Sequence, residues 1–239
     1  MLGSMDAAVL LTGLLWFAAF VFSTTVHEAM HALAAYRGGD ATAYLGGQVS
    51  LSPLPHIRRE PIGMLVVPLL TAFTLGWSVG WASTPYDPFW AARHPRRAAT
   101  MAAAGPAGNL AIALVAFAAL RLGLALDIFI APDRVNLHHL VDAADGSALI
   151  TGLGELLTVL LVLNILLFVF NMLPVPPLDG ASAITGILPA RIADLVRAVN
   201  ANPAVSLLGL LIAWQVFPQF ARPLFAAVVR LVHPGDIYS

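Results

Sequence analysis

Long apolar runs set the terms on which this chain can fold. Ala7 to Tyr36, Ala98 to Leu126 and Ser147 to Leu173 are each long enough to cross a bilayer, which takes about 20 largely apolar residues at 1.5 Å of rise apiece. Inside hydrocarbon every backbone N–H and C=O must find its partner within the protein, and a helix meets that demand segment by segment. Composition agrees: 59% of residues are hydrophobic and 10% charged, against roughly 45–50% and about 25% in a soluble domain. The expected fold is an all-α polytopic membrane protein with about five or six membrane segments. It forms one domain over residues 1–239, with a core of about 7–180 and C-terminal membrane segments in 184–239. A length of 239 residues leaves no room for a sizeable module outside the bilayer.

The net charge of −1 gives no reason to expect nucleic acid as a partner, so the lipid bilayer is the expected surroundings. All 12 basic residues are Arg, which reads as coding bias. Cysteine is absent, so a metal would have to be held by His and carboxylate. The N-terminus lacks the basic flank of a cleaved signal peptide, and residues 1–4 ahead of Met5 read as an expression remnant. Nothing in the chain signals an oligomeric state.

Between the first two runs the pattern changes. Arg37 to Glu60 holds Gly38, Gly39, Gly46, Gly47, Pro53 and Pro55, with a short alternating stretch from Ala43 to Leu51, and this predicts a β-hairpin or re-entrant loop. Pro61 to Ser83 is apolar but interrupted by Gly63, Pro68, Gly76 and Gly80. Arginines flank it on both sides, at Arg58 and Arg59 and at Arg93, Arg96 and Arg97. Because cytoplasmic loops collect Arg, this segment is expected to leave and return on one side, placing the acidic 127–146 loop outside. Ile184 to Asn200 reads as a short amphipathic stretch. Ala204 to Val216 is apolar but short for a span, and Pro218 and Pro223 are expected to break the chain before Leu224 to Val232, which would lie along the interface.

One pentapeptide carries chemistry. His27-Glu28-Ala29-Met30-His31 places two imidazoles at i and i+4, on one helix face and about 6 Å apart along the axis. In a chain with 7 His and three Glu, chance yields such a pattern on the order of a few times in a thousand. Ionisable residues inside a span are costly and mark function. Glu28, beside the first imidazole, is placed to take a proton from water at a metal. A catalytic zinc wants a third ligand. His56, His94, His138, His139 and His233 fall in polar loops or at ends, where a solvated role is expected, and Glu155 sits near the start of a span. Asp179 is better placed, in Leu173-Pro174-Val175-Pro176-Pro177-Leu178-Asp179-Gly180. There prolines hold an extended backbone, and Gly180 permits a tight turn. The competing reading of Asp179 is a helix N-cap. Asn109 and Asn171, amides in apolar helices, are either substrate contacts or interhelical glue, and Asn164 reads as packing.

His27 to His31 on one span, Gly105-Pro106-Ala107-Gly108-Asn109 in another, and Asn171 to Gly180 after a third together resemble the site-2 protease (M50) family of intramembrane metalloproteases. The likeness spans about residues 7–180 and is nearest to small bacterial and archaeal members without PDZ or CBS domains. It implies one Zn2+ per chain bound by His27, His31 and Asp179, and Glu28 as general base. It also implies Asn171 and Asn109 as substrate or oxyanion contacts, and a membrane-protein substrate helix as partner. The location it implies is a prokaryotic plasma membrane. Gly105, Pro106 and Gly108 read as close packing and a helix break. A carrier that uses the His27, His31 and Asp179 cluster to bind or move a metal is the alternative, and Glu28 separates the two, since only hydrolysis requires a base.

Overall fold

In the computed structural model, which describes residues 7–235, four helices are long and apolar enough to cross a membrane. They are α1 (Ala7–Arg37), α6 (Pro95–Ala125), α7 (Ala148–Asn171) and α10 (Pro203–Val232). The expectation for residues 1–4 lies outside the described chain. Between the spans run α2 (Thr42–Leu45), α3 (Pro53–Arg59), a π-helical turn at Ile62–Val66, α4 (Val67–Thr74) and α5 (Pro88–Arg93). After α7 come α8 (Asp179–Ala183), a 3-10 turn at Ile184–Gly186 and α9 (Ala190–Asn200).

α6 packs between α1 and α7, and their shared core joins Trp16 and Phe20 of α1 to Leu120 of α6 and to Val159 and Leu163 of α7. Ala19, Ala113 and Ala116 are also buried there, as expected where membrane helices approach on small residues. Leu11, Leu14, Leu114, Val115, Leu207 and Leu211 point outward, where lipid rather than water is the solvent. The 127–147 loop closes one end. Its sheet pairs β1 (Phe129–Ile130) with β2 (Asp142–Ala143), antiparallel, with Phe129 opposite Ala143. Phe129, Leu140 and Val141 plug the bundle.

Several expectations are corrected. Ala43 to Leu51 is no hairpin. The Asp40 carboxylate accepts from Thr42 N at 2.9 Å and from Thr42 Oγ1 at 2.5 Å, which starts a helical turn. Gly47, at φ +73, ends that stretch in a conformation glycine adopts without cost. Burial works against the charge of Asp40, but these bonds and one from Asp87 N outweigh it and hold the carboxyl below its ordinary range. Pro218 and Pro223 do not break the last helix, and Pro106 does not break α6. A proline deletes one backbone hydrogen bond; Pro106 is buried among neighbouring helices, which make the interruption tolerable, whereas Pro218 and Pro223 are exposed on α10 and the helix runs through them. His56 and His233 are buried rather than solvated. Their Nε2 atoms pair with the carbonyls of Ser50 at 3.1 Å and Leu140 at 2.7 Å.

Residues 62–87 run down as helix and back as an extended strap. Trp81 N donates to Gly63 O at 3.1 Å and Val79 N to Thr71 Oγ1 at 2.9 Å. A Cβ on Gly80 would collide with the Gly63 carbonyl, so the two arms touch only because that position lacks a side chain.

Candidate metal centre

α1 carries His27 and His31 on one face, and both are buried. Their Nε2 atoms lie 3.0 Å apart, with the rings nearly perpendicular at 82°. Asp179, the first residue of α8, brings Oδ2 to 3.1 Å from His27 Nε2 and 3.3 Å from His31 Nε2. A tetrahedral zinc with ligands at about 2.0–2.1 Å separates them by about 3.3–3.4 Å, so the three donors stand within about 0.4 Å of the edges such an ion asks for. The Asp179 side chain keeps 22% of its exposure against 10% for His27 and 7% for His31. The helices therefore shield the cluster on one side, and the loop side stays open. With its carboxylate turned to the two histidines, Asp179 is committed to them and not to capping α8.

The far ring nitrogens fix what the near ones can do. His27 Nδ1 lies 2.6 Å from Asn109 Oδ1, and His31 Nδ1 lies 2.7 Å from the Met101 carbonyl. Both partners are acceptors, so each Nδ1 carries a proton and donates, which leaves Nε2 as the nitrogen that can offer a lone pair to an ion. Two imidazoles 3.0 Å apart that both point lone pairs at one spot are repulsive until a cation occupies it. That is the arrangement by which outer partners set metal-ligating histidines.

α6 supplies both restraints and the clearance. A Cβ on Gly105 would collide with His31 Nε2 and fall 2.7 Å from His27 Nε2, so any side chain there would fill the space the donors face. Asn109 is fully buried, and its Nδ2 donates to Asn164 Oδ1 at 2.8 Å. Asn164 in turn donates to Ser23 Oγ at 2.8 Å and to Leu160 O at 2.8 Å, which ties α1, α6 and α7 together behind the ring of His27. Asn109→Leu is expected to lower metal affinity about 10- to 100-fold, measured by chelator competition; an unchanged affinity would remove Asn109 from the centre.

Asn171 stands at the end of α7 with Nδ2 donating to Leu167 O at 3.0 Å. The loop after it is braced from two sides. A Cβ on Gly180 would strike the carbonyls of Met172 and Leu173, and one on Gly209 of α10 would strike that of Pro176. Glu28 is buried next to the cluster, and its Oε2 accepts from Thr84 Oγ1 at 2.6 Å. Sequence reasoning passed over Thr84, Ser23 and the Met101 carbonyl; Asn164, read as packing, does join three helices and also holds the amide that pairs with His27. Only for Asn164, a buried amide in an apolar run, did a signal exist.

Comparison with known proteins identifies the family. The sequence profile described as Peptidase family M50 matches residues 15–214. The chain is 32% identical over 170 residues to "Putative zinc metalloprotease YwhC" of Bacillus subtilis (strain 168), covering 71% of this chain and 67% of that protein. No solved structure matches. The chain belongs to peptidase family M50 and is a zinc metalloprotease.

Proposed function

We propose that the protein is an intramembrane zinc endopeptidase that cleaves transmembrane or membrane-proximal segments of other membrane proteins. The observation that carries this is the meeting of two imidazoles, borne on a helix apolar enough to span the bilayer, with the carboxylate of Asp179 from the segment after α7. His27, His31 and Asp179 would hold the ion. Zinc bound there would polarise the scissile carbonyl and ease the deprotonation of water. Glu28 takes the proton as water attacks and returns it to the leaving amine. Asn109 acts through His27, since both ends of its amide are engaged. Asn171, beside the loop that carries Asp179, is the substrate or oxyanion contact.

The helix and strap of residues 62–87 form a re-entrant element that begins and ends on the Arg-bearing cytoplasmic face, and the 127–147 loop lies outside. The whole chain works as one membrane domain in a prokaryotic plasma membrane, against a substrate helix that must unwind locally before its peptide bonds are reached. The test combines metal analysis with cleavage in proteoliposomes by a panel of single-span proteins. Wild type is expected to carry about one zinc per chain and to cut within the span, while Asp179→Ala loses both metal and cutting. A wild-type protein that cuts only soluble polypeptides would overturn the intramembrane reading.

A further inference from the structure

The Glu28 carboxylate, 5% exposed, has no ion-pair partner among the described residues. One contact orients it, and the contact comes from far along the chain: Thr84 Oγ1 lies 2.6 Å from Oε2 and 3.0 Å from the Glu28 carbonyl. A threonine hydroxyl has one proton and must choose between these acceptors. The shorter distance falls in the range of a charge-assisted O–H···O⁻ bond, so the proton goes to the carboxylate. Oε1 is then the oxygen left for water.

Thr84 is itself held rigidly. Pro85 follows it, and the residue before a proline is driven to extended backbone. Its β-branched side chain has few χ1 choices. Anchors stand on either side in the strap. Ser83 Oγ donates to Glu60 Oε1 at 2.6 Å and accepts from Arg59 Nε at 3.1 Å, and its carbonyl takes Gln48 Nε2 at 3.2 Å. Asp87 N donates to Asp40 Oδ2 at 2.8 Å. A strap without a β-ladder is thus pinned side chain by side chain, on both flanks of the residue that, among the described residues, hydrogen-bonds the Glu28 carboxylate.

From this we infer that Thr84 is a positioning residue: it holds Glu28 Oε2 so that Oε1 faces the metal centre, and it makes the aim of the base depend on where the strap lies. The inference rests on the reading of Glu28 as general base given above. Its energetic logic is one of geometry, because misplacing a reacting group by about 1 Å can cost about 10²-fold in rate.

The test compares Thr84→Val, Thr84→Ser and Glu28→Gln with wild type. The probe is a designed single-span Leu/Ala peptide with a central Gly-Asn helix break, flanked by fluorophore and quencher, in vesicles. Valine keeps the shape of threonine and deletes the hydroxyl. Thr84→Val is expected to lower kcat about 10- to 100-fold with KM changed less than about twofold, and Thr84→Ser to recover within about threefold of wild type. Zinc content and melting temperature stay at wild-type values. A second readout does not need turnover: the Glu28 carboxylate band, isolated by subtracting the Glu28→Gln infrared spectrum, should shift in Thr84→Val and return in Thr84→Ser. Wild-type kcat in Thr84→Val, equal damage from Val and Ser, or a rate loss that follows zinc loss would each overturn the positioning role. Cleavage by Glu28→Gln at a rate within tenfold of wild type would overturn the base assignment itself. A carboxylate band that does not move in Thr84→Val would overturn the hydrogen bond whether or not the probe is cut.

Discussion

Gly105→Ala is expected to empty the protein of zinc and of activity together, although it adds a single methyl group to a helix that alanine ordinarily favours. The added Cβ would overlap His31 Nε2 and press on His27 Nε2. Neither ring can retreat without breaking its bond to Met101 or Asn109. Two outcomes are open to the chain: the imidazoles rotate away from the shared focus, or α6 backs off from α1 and takes both Nδ1 acceptors with it. Either one dismantles the donor set. Zinc content is expected to fall at least about tenfold, by analogy with the loss of outer partners that only orient a ligand, and cleavage to fall below detection. The control is Gly152→Ala, where the new Cβ meets nothing within 4 Å; it should keep zinc and rate. A Gly105→Ala protein with full zinc would mean that the donors do not converge where α6 is closest.

Glu28→Gln is the second large effect and differs in kind. It keeps size, helix and an acceptor for Thr84 Oγ1, and it leaves His27, His31 and Asp179 untouched. It removes only the capacity to take a proton. General-base removal commonly costs about 10²–10⁴-fold in rate, so kcat/KM should fall by that much while zinc stays at the wild-type level. This pair of results, rate lost and metal kept, separates hydrolysis from a carrier that uses the same cluster. A carrier with Gln at position 28 should still load and release its ion, and a cleavage rate within tenfold of wild type would exclude Glu28 as the base.

The parts of this protein that were legible in its sequence are those written locally. α1, α6 and α7 begin and end within a few residues of the apolar runs, because the cost of an unsatisfied backbone in lipid leaves helices no other form. His27 and His31 were readable because i, i+4 spacing is itself a geometry. Asp179 was readable because prolines and a glycine announced an irregular backbone after a span. What escaped was written at long range. The Nδ1 partners of the two histidines come from 82 and 70 residues away, and Thr84 is 56 residues from Glu28, which it touches. No periodicity or composition encodes such distances. The alternation of Ala43 to Leu51 misled because a carboxylate just ahead of it, on Asp40, rewards a turn of helix there. Pro218 and Pro223 misled because a proline within a long helix removes one backbone bond but leaves the turns on either side intact, so α10 runs through both.

The protons on His27 and His31 that point into α6 have a bearing on transplantation. A peptide copy of α1 would display the same five residues, yet its rings would spin freely and each could hold its proton on either nitrogen. Most of the resulting arrangements offer an ion at most one lone pair. The pentapeptide alone is therefore a weaker binder than the folded centre. Grafted onto another scaffold, it would need two oxygens placed to accept from the Nδ1 atoms before it matched the grip it has here.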